Sequence, residues 1–167
     1  MASGKTKTED VGTHFRALSS IASSLNKSSD ELTRTVGVLD GALKKLNIGL
    51  SSWVSYAHLA AEPPEYGSDQ IGYAKIDGKW GIALRRIWGD QALGSEQEDG
   101  PWLFGDAPRE MRILAVDSLP QLIEALARKA FSTAERIDDK AKQVSALAVL
   151  IDEIAKEQEG NKSRGGQ

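Results

Sequence analysis

From residue 14 to residue 47 the apolar side chains fall at Phe15, Leu18, Ala22, Leu25, Leu32, Val36, Leu39, Leu43 and Leu46 in steps of three and four. Ser29 is the one polar residue in that series. The alternation keeps a single stripe on one side of a helix, which is the a/d pattern of a coiled-coil seam. A chain carrying it must lay a long helix against something apolar. At about 1.5 Å per residue, some 35 residues reach roughly 50 Å. Thr13 suits the N-cap, because its hydroxyl can accept a free amide of the first turn. The cluster Ser28-Ser29-Asp30-Glu31 could restart the helix after a kink. The e positions hold Ser19, Asn26, Thr33 and Asp40, and the g positions Ile21, Ser28, Thr35 and Ala42. With so few charges there, ion pairs do not select the partner, and a bundle is as compatible as a two-stranded coil.

The period changes after Asn47-Ile48-Gly49, where Asn47 or Gly49 suits a left-handed helix end. Residues 50–59 mix β-branched, aromatic and serine side chains and predict a strand. Pro63 and Pro64 then break the ladder. Asp77-Gly78 stands between two alternating runs, the signature of a type I′ hairpin turn, which needs positive φ at both central residues. Pairing outward sets Ile76 against Lys79, Tyr73 against Ile82 and Ile71 against Leu84. One face carries Ile71, Tyr73, Trp80, Ile82, Leu84 and Trp88 and should be core. The other carries Gly72, Ala74, Ile76, Gly81, Ala83 and Ile87, small enough to receive a helix or a partner.

Residues 89–106 read as a long irregular loop. Asp90, Glu96, Glu98, Asp99 and Asp106 meet no lysine or arginine there, and loops of that length are usually functional or disordered. Within it, Pro101-Trp102-Leu103-Phe104 looks like an anchor folding back onto the sheet. Pro108 opens a short helix to about Val116. Ser118 with Gln121 forms a capping box for a last helix, whose apolar residues run Leu119, Leu122, Ile123, Leu126, Ala130, Ala134, Ile137, Ala141, Val144, Leu147, Ala148, Ile151 and Ile154. That spacing, nearer 3.6, predicts a broad amphipathic face.

The expected organisation is therefore α+β, with two long amphipathic, coiled-coil-like helices flanking a small antiparallel three-stranded unit. Residues 1–12 are a disordered lead-in and 13–47 the heptad helix. The β unit covers 48–106, the short and long helices 107–159, and a disordered tail 160–167. The simplest packing sets the two long helices antiparallel, each burying the other's stripe. The alternative leaves the first helix to pair with another chain.

Composition narrows the function. A net charge of −3 gives no global attraction to nucleic acid or anionic membranes. No apolar run approaches the roughly 18 residues of a membrane span. Without an export signal the cytoplasm is the default. The absence of cysteine excludes disulfides and thiolate metal sites, and His14 and His58 are the only histidines. No phosphate-binding glycine loop and no nucleophile elbow occurs. His58 beside Glu62 could form an acid–base pair, but the surface reading prevails. Asp138-Asp139 and Asp152-Glu153 read as a solvated helix face. The acidic loop lacks the ligand rhythm of a calcium site. Neither a cofactor nor enzymatic activity is expected.

A protein–protein interaction module follows: an adaptor, assembly or regulatory subunit binding itself or another protein. Its interface would be Phe15, Leu18, Leu25, Leu32, Val36, Leu39, Leu43 and Leu46. The alternative is an accessory nucleic-acid binder using Lys75, Lys79, Arg85 and Arg86 with the hairpin aromatics. Asp69, Asp77 and Asp90 nearly cancel that charge, which sets this reading second.

Overall fold

In the computed structural model, residues 3–59 and 62–164 are described, with side-chain surroundings for 10–59 and 62–158. The chain runs α1 (Ser3–Leu46), β1 (Ser52–His58), β2 (Glu65–Ile76), β3 (Lys79–Asp90), β4 (Ser95–Leu103), α2 (Arg109–Ala115), a 3-10 turn at Val116–Ser118 and α3 (Leu119–Arg164). The sheet is an antiparallel meander in the order β1-β2-β3-β4. It has four strands where three were expected, because Ser95–Leu103, within the stretch read as an irregular loop, pairs along β3.

The hairpin forms in the register that its turn dictates. Ile76 faces Lys79, Tyr73 faces Ile82 and Ile71 faces Leu84. Asp77 and Gly78 take φ of 47° and 82°, both left-handed, as the I′ turn demands. Leu59 and Glu65 bracket the β1–β2 connection, whose residues 60 and 61 lie outside the described set. Asn47 and Gly49, at φ of 48° and 65°, end α1 in left-handed backbone.

A row of facing residues crosses the sheet on each side. On one side it is Val54, Ile71, Leu84 and Trp102; on the other, Trp53, Gly72, Ala83 and Leu103. The first side holds the core. There Ile71, Tyr73, Ile82 and Leu84 pack with Val36 and Leu43 of α1, Met111 and Ala115 of α2, and Leu122 and Leu126 of α3. Tyr73 stacks on Trp80 with ring centres 5.5 Å apart. Trp88, expected in that core, is instead exposed at its edge, donating its indole N–H to Gln97. Strand β3 outruns the helices that cover it.

The small-residue side is not left open. A Cβ at Gly72 would collide with the Trp53 ring, and one at Gly81 would lie 2.9 Å from Leu103 Cδ2. The two large side chains of the edge strands thus lie inward over the small centre, and Ala83 is wholly buried. Arg85 covers Trp53, its guanidinium carbon 4.2 Å from the ring centre. The expected flat docking face is filled by the sheet's own edges.

The long helices do not pair with each other. Both lie on the core side of the sheet, α1 mainly over β3 and α3 over β1 and β2. Each buries one segment of its apolar residues against the sheet, Leu32 to Leu43 on α1 and Leu119 to Leu126 on α3, and this replaces the expected antiparallel helix pair. Helix α1 begins at Ser3, so Thr13 lies inside it and is no N-cap, and α3 continues to Arg164. Ser118 belongs to the 3-10 turn that joins α2 to α3, so helical backbone precedes the expected capping box.

Candidate interaction surface

The heptad seam divides at the sheet. Val36 and Leu43 are 4% and 6% exposed, and Leu32 and Leu39 pack half-buried against the same cluster. Phe15, Leu18 and Leu25, by contrast, are 70%, 61% and 44% exposed, as are Val11 and Ile21 nearby. Leu46, past the last core contact, is also exposed. One continuous sequence signal thus serves two surfaces. Its C-terminal half is core, and its N-terminal half is an apolar stripe on a free helical arm.

Contacts along α1 fix where that arm departs. Asn26 accepts from Arg109 at 2.8 Å, and the Thr33 hydroxyl accepts from Arg112 at 2.6 Å. Asp40 then accepts from the Ile82 amide, and Lys44 lines a recess with Tyr73, Trp80 and Lys79 beside the hairpin turn. The helix therefore enters over the α2 end of the sheet and finishes near the hairpin tip.

Helix α3 goes on beyond the tip. Leu122 and Leu126 hold it to the sheet, and Lys129 Nζ donates to the Ser51 carbonyl at 2.6 Å, just before β1. Past that point the described side chains are almost all exposed. Ile137, Val144, Leu147 and Ile151 are 62%, 64%, 55% and 57% exposed. Among the apolar residues of this arm one series is strictly spaced. Ala130, Ala134, Ile137, Ala141, Val144, Ala148, Ile151 and Ala155 again alternate steps of four and three. Leu119 and Leu126, and further on Leu147 and Ile154, fall one position to the side of that series and blur the period to 3.6 when the whole helix is read at once. The second seam was in the sequence, hidden by the apolar residues that flank it. A shallow open groove of about 520 Å³ runs along it, bordered by Ile137, Lys140, Ala141 and Val144.

The four basic hairpin residues are not brought together. Arg86 donates to the buried Asp69 carboxylate through Nε and Nη2 at 2.6 and 2.8 Å. That bond to Asp69 raises the Arg86 pKa above its already high ordinary value. Arg85, on the opposite side of the sheet, donates to Gln70 at 2.8 Å and to Glu98 at 3.1 Å. Lys75 and Lys79 are exposed near the turn, on opposite sides. The two arginines are thus engaged with acceptors of their own chain. Residues Glu96, Glu98 and Asp99 of β4 add negative charge along the neighbouring edge.

A cavity of about 300 Å³ lies between the sheet and α2, bordered by Asp69, Arg86, Asp99, Trp102, Met111 and Leu114. Asp69 and Arg86 form an ion pair there, Asp99 and Glu110 add two carboxylates, and the lining holds no nucleophile–base arrangement. Tyr56 lies close by, and burial followed by the Asp69 charge pushes its phenol well above the ordinary range. His58 and Glu62 are exposed, and no hydrogen bond joins them among the described residues. Among the described residues no cluster of three His, Cys, Asp or Glu could hold a metal ion. No described helix is long and apolar enough to cross a membrane. No protein-family model, curated protein or solved structure matches the chain.

Proposed function

We propose that this chain is a non-enzymatic protein–protein interaction module, an assembly or regulatory subunit that works through helical arms projecting from a small α+β head. One observation carries the reading: both arms bear long apolar stripes in heptad spacing that the head leaves uncovered. Contiguous apolar surface on that scale marks an interaction site, since isolated exposed hydrophobic residues would not repeat every three and four positions. Covering such a stripe with another helix removes roughly 25 cal/mol of unfavourable hydration per Å². The head supplies a rigid mount that sets where each arm points. A nucleic-acid role is the weaker reading, because Arg85 and Arg86 are already paired within the sheet.

The test is solution mass by light scattering on the full chain, with nucleic-acid absorbance recorded across the same peak. The reading expects a mass above one 18.0 kDa chain and protein absorbance alone. Val144→Asp with Ile151→Asp on α3 should lower that mass without lowering the head's melting temperature, and Leu18→Asp with Leu25→Asp on the exposed part of α1 should likewise leave that melting temperature unchanged. Leu39→Asp, against the core, should lower the melting temperature instead. A single-chain mass at every concentration tested overturns assembly through the arms, and co-eluting nucleic acid favours the second reading.

A further inference from the structure

Resting on that reading, we infer that the α3 arm pairs with the α3 arm of a second copy, antiparallel. The argument lies in side-chain size. One set of seam positions is alanine throughout, at Ala134, Ala141, Ala148 and Ala155, and the other, after Ala130, is β-branched at Ile137, Val144 and Ile151. Parallel helices stack like positions, so every alanine would meet alanine and every β-branched residue would meet another, leaving thin and thick layers in alternation. Antiparallel helices stack unlike positions, so small meets large in successive layers and the spacing stays even. Centred between Lys142 and Gln143, the pairing sets Ala134 against Ile151 of the second copy, Ile137 against Ala148 and Ala141 against Val144, and only the outermost layer at each end, Ala130 against Ala155, joins two small residues. The groove bordered by Ala141 then receives the Val144 side chain.

Charge selects this register. The seam is flanked by Asp138, Ser145 and Asp152 on one side and by Lys140, Leu147 and Ile154 on the other. In antiparallel pairs, flanks of the same kind face each other across the seam. The proposed centre puts Asp138 beside Ser145, Asp152 beside Phe131 and Lys140 beside Leu147 of the second copy. Sliding by one heptad toward the C-terminus would set Asp138 beside Asp152, a repulsion that the proposed centre avoids. The overlap of about 30 residues, some 45 Å long and 10–12 Å wide on each helix, buries roughly 1,000 Å² in total, the threshold of a specific interface. The α1 stripe sets Ala22 between Leu18 and Leu25 but opens on Val11, Phe15 and Leu18, three large residues in succession, so its alternation does not run the length of the arm.

Because the chain has no cysteine, single cysteines report the geometry directly. Chains carrying Ala134→Cys and Ile151→Cys are prepared in full length, oxidised alone and oxidised after mixing, with solution mass measured in parallel. A disulfide-linked dimer should form in the mixture and in neither variant alone. Cross-linking within each variant alone would mean parallel helices and overturn the proposal. A dimeric mass with no disulfide in any sample overturns the α3 pairing while leaving assembly through another surface standing. A single-chain mass throughout overturns both readings. Ala141→Trp, which overfills the groove, should shift the oligomer to single chains without a change in head melting temperature; an unchanged mass would overturn the pairing.

Discussion

The Asp40 carboxylate on α1 accepts a hydrogen bond from the Ile82 amide on β3 at 2.9 Å, joining residues 42 apart in sequence. Strand β4 leaves the sheet here: the Ile82 carbonyl is bonded by the Phe104 amide as the chain turns away. The Ile82 N–H would otherwise lack a strand partner. Asp40 supplies it, and Lys44 one turn later holds the carboxylate at 2.5 Å. A helix side chain thus completes the ladder where a strand runs out.

Asp40→Ala should therefore destabilise the head by about 1–3 kcal/mol, the cost of leaving a buried amide without an acceptor. Chemical denaturation compares the variant with wild type. Asp40→Asn, whose side-chain oxygen can still accept, should recover a substantial part of that loss. Equal stability of all three would show that the amide finds another acceptor.

Gly72→Val should cost about 1–3 kcal/mol, because the added carbons enter space held by the Trp53 ring. The double variant with Trp53→Ala removes the ring, leaving the Ser52 carbonyl oxygen 2.7 Å from the new Cβ, and should lose less than the sum of the two single changes. Thermal melts of the four proteins form the cycle. Strict additivity would mean that Trp53 does not lie over Gly72 in solution.

All three tyrosines hold their phenolic protons more tightly in the fold than in an open chain. For Tyr56 and Tyr73 the main cause is burial, reinforced by Asp69 and Asp40 respectively; for Tyr66 it is the hydrogen bond donated to Glu96 at 2.8 Å. The unfolded phenols ionise near pH 10. Above that pH the unfolded chain loses protons first, so the contribution to stability is fully present below about pH 10 and is lost as pH rises further. Ultraviolet difference titration should show tyrosine ionisation delayed beyond the ordinary range and, for the buried pair, coincident with unfolding. Tyr56→Phe should remove one of the late steps. Ordinary phenol titration in a protein that stays folded would contradict the burial of Tyr56 and Tyr73.

The hairpin was legible because Asp77-Gly78 fixes both the turn and the register, and the alternation of Ile71, Tyr73, Ile82 and Leu84 names the buried side. Strand β4 was not. Ser95 to Gly100 carries polar and acidic residues of low strand propensity, and it extends because β3 offers an open edge, with Glu98 facing Ile87 and Asp99 facing Arg86. A local pattern cannot announce pairing imposed from outside. The α1 seam was legible as a stripe, but helix-on-helix and helix-on-sheet packing bury the same leucines, so its partner was not. For Trp53 the clue was Gly72: a glycine in a strand marks close approach by something, and here it is an aromatic ring from the neighbouring strand.

The meander order also bears on how quickly the head can form. Each strand pairs with the next in sequence, and β2 and β3 are joined by two residues only. Such closures confine little of the chain, and proteins dominated by short-range pairings fold fast for their size. Docking α1 closes much longer loops, since Asp40 meets Ile82 across 42 residues, so its contacts confine more of the chain than any strand turn does.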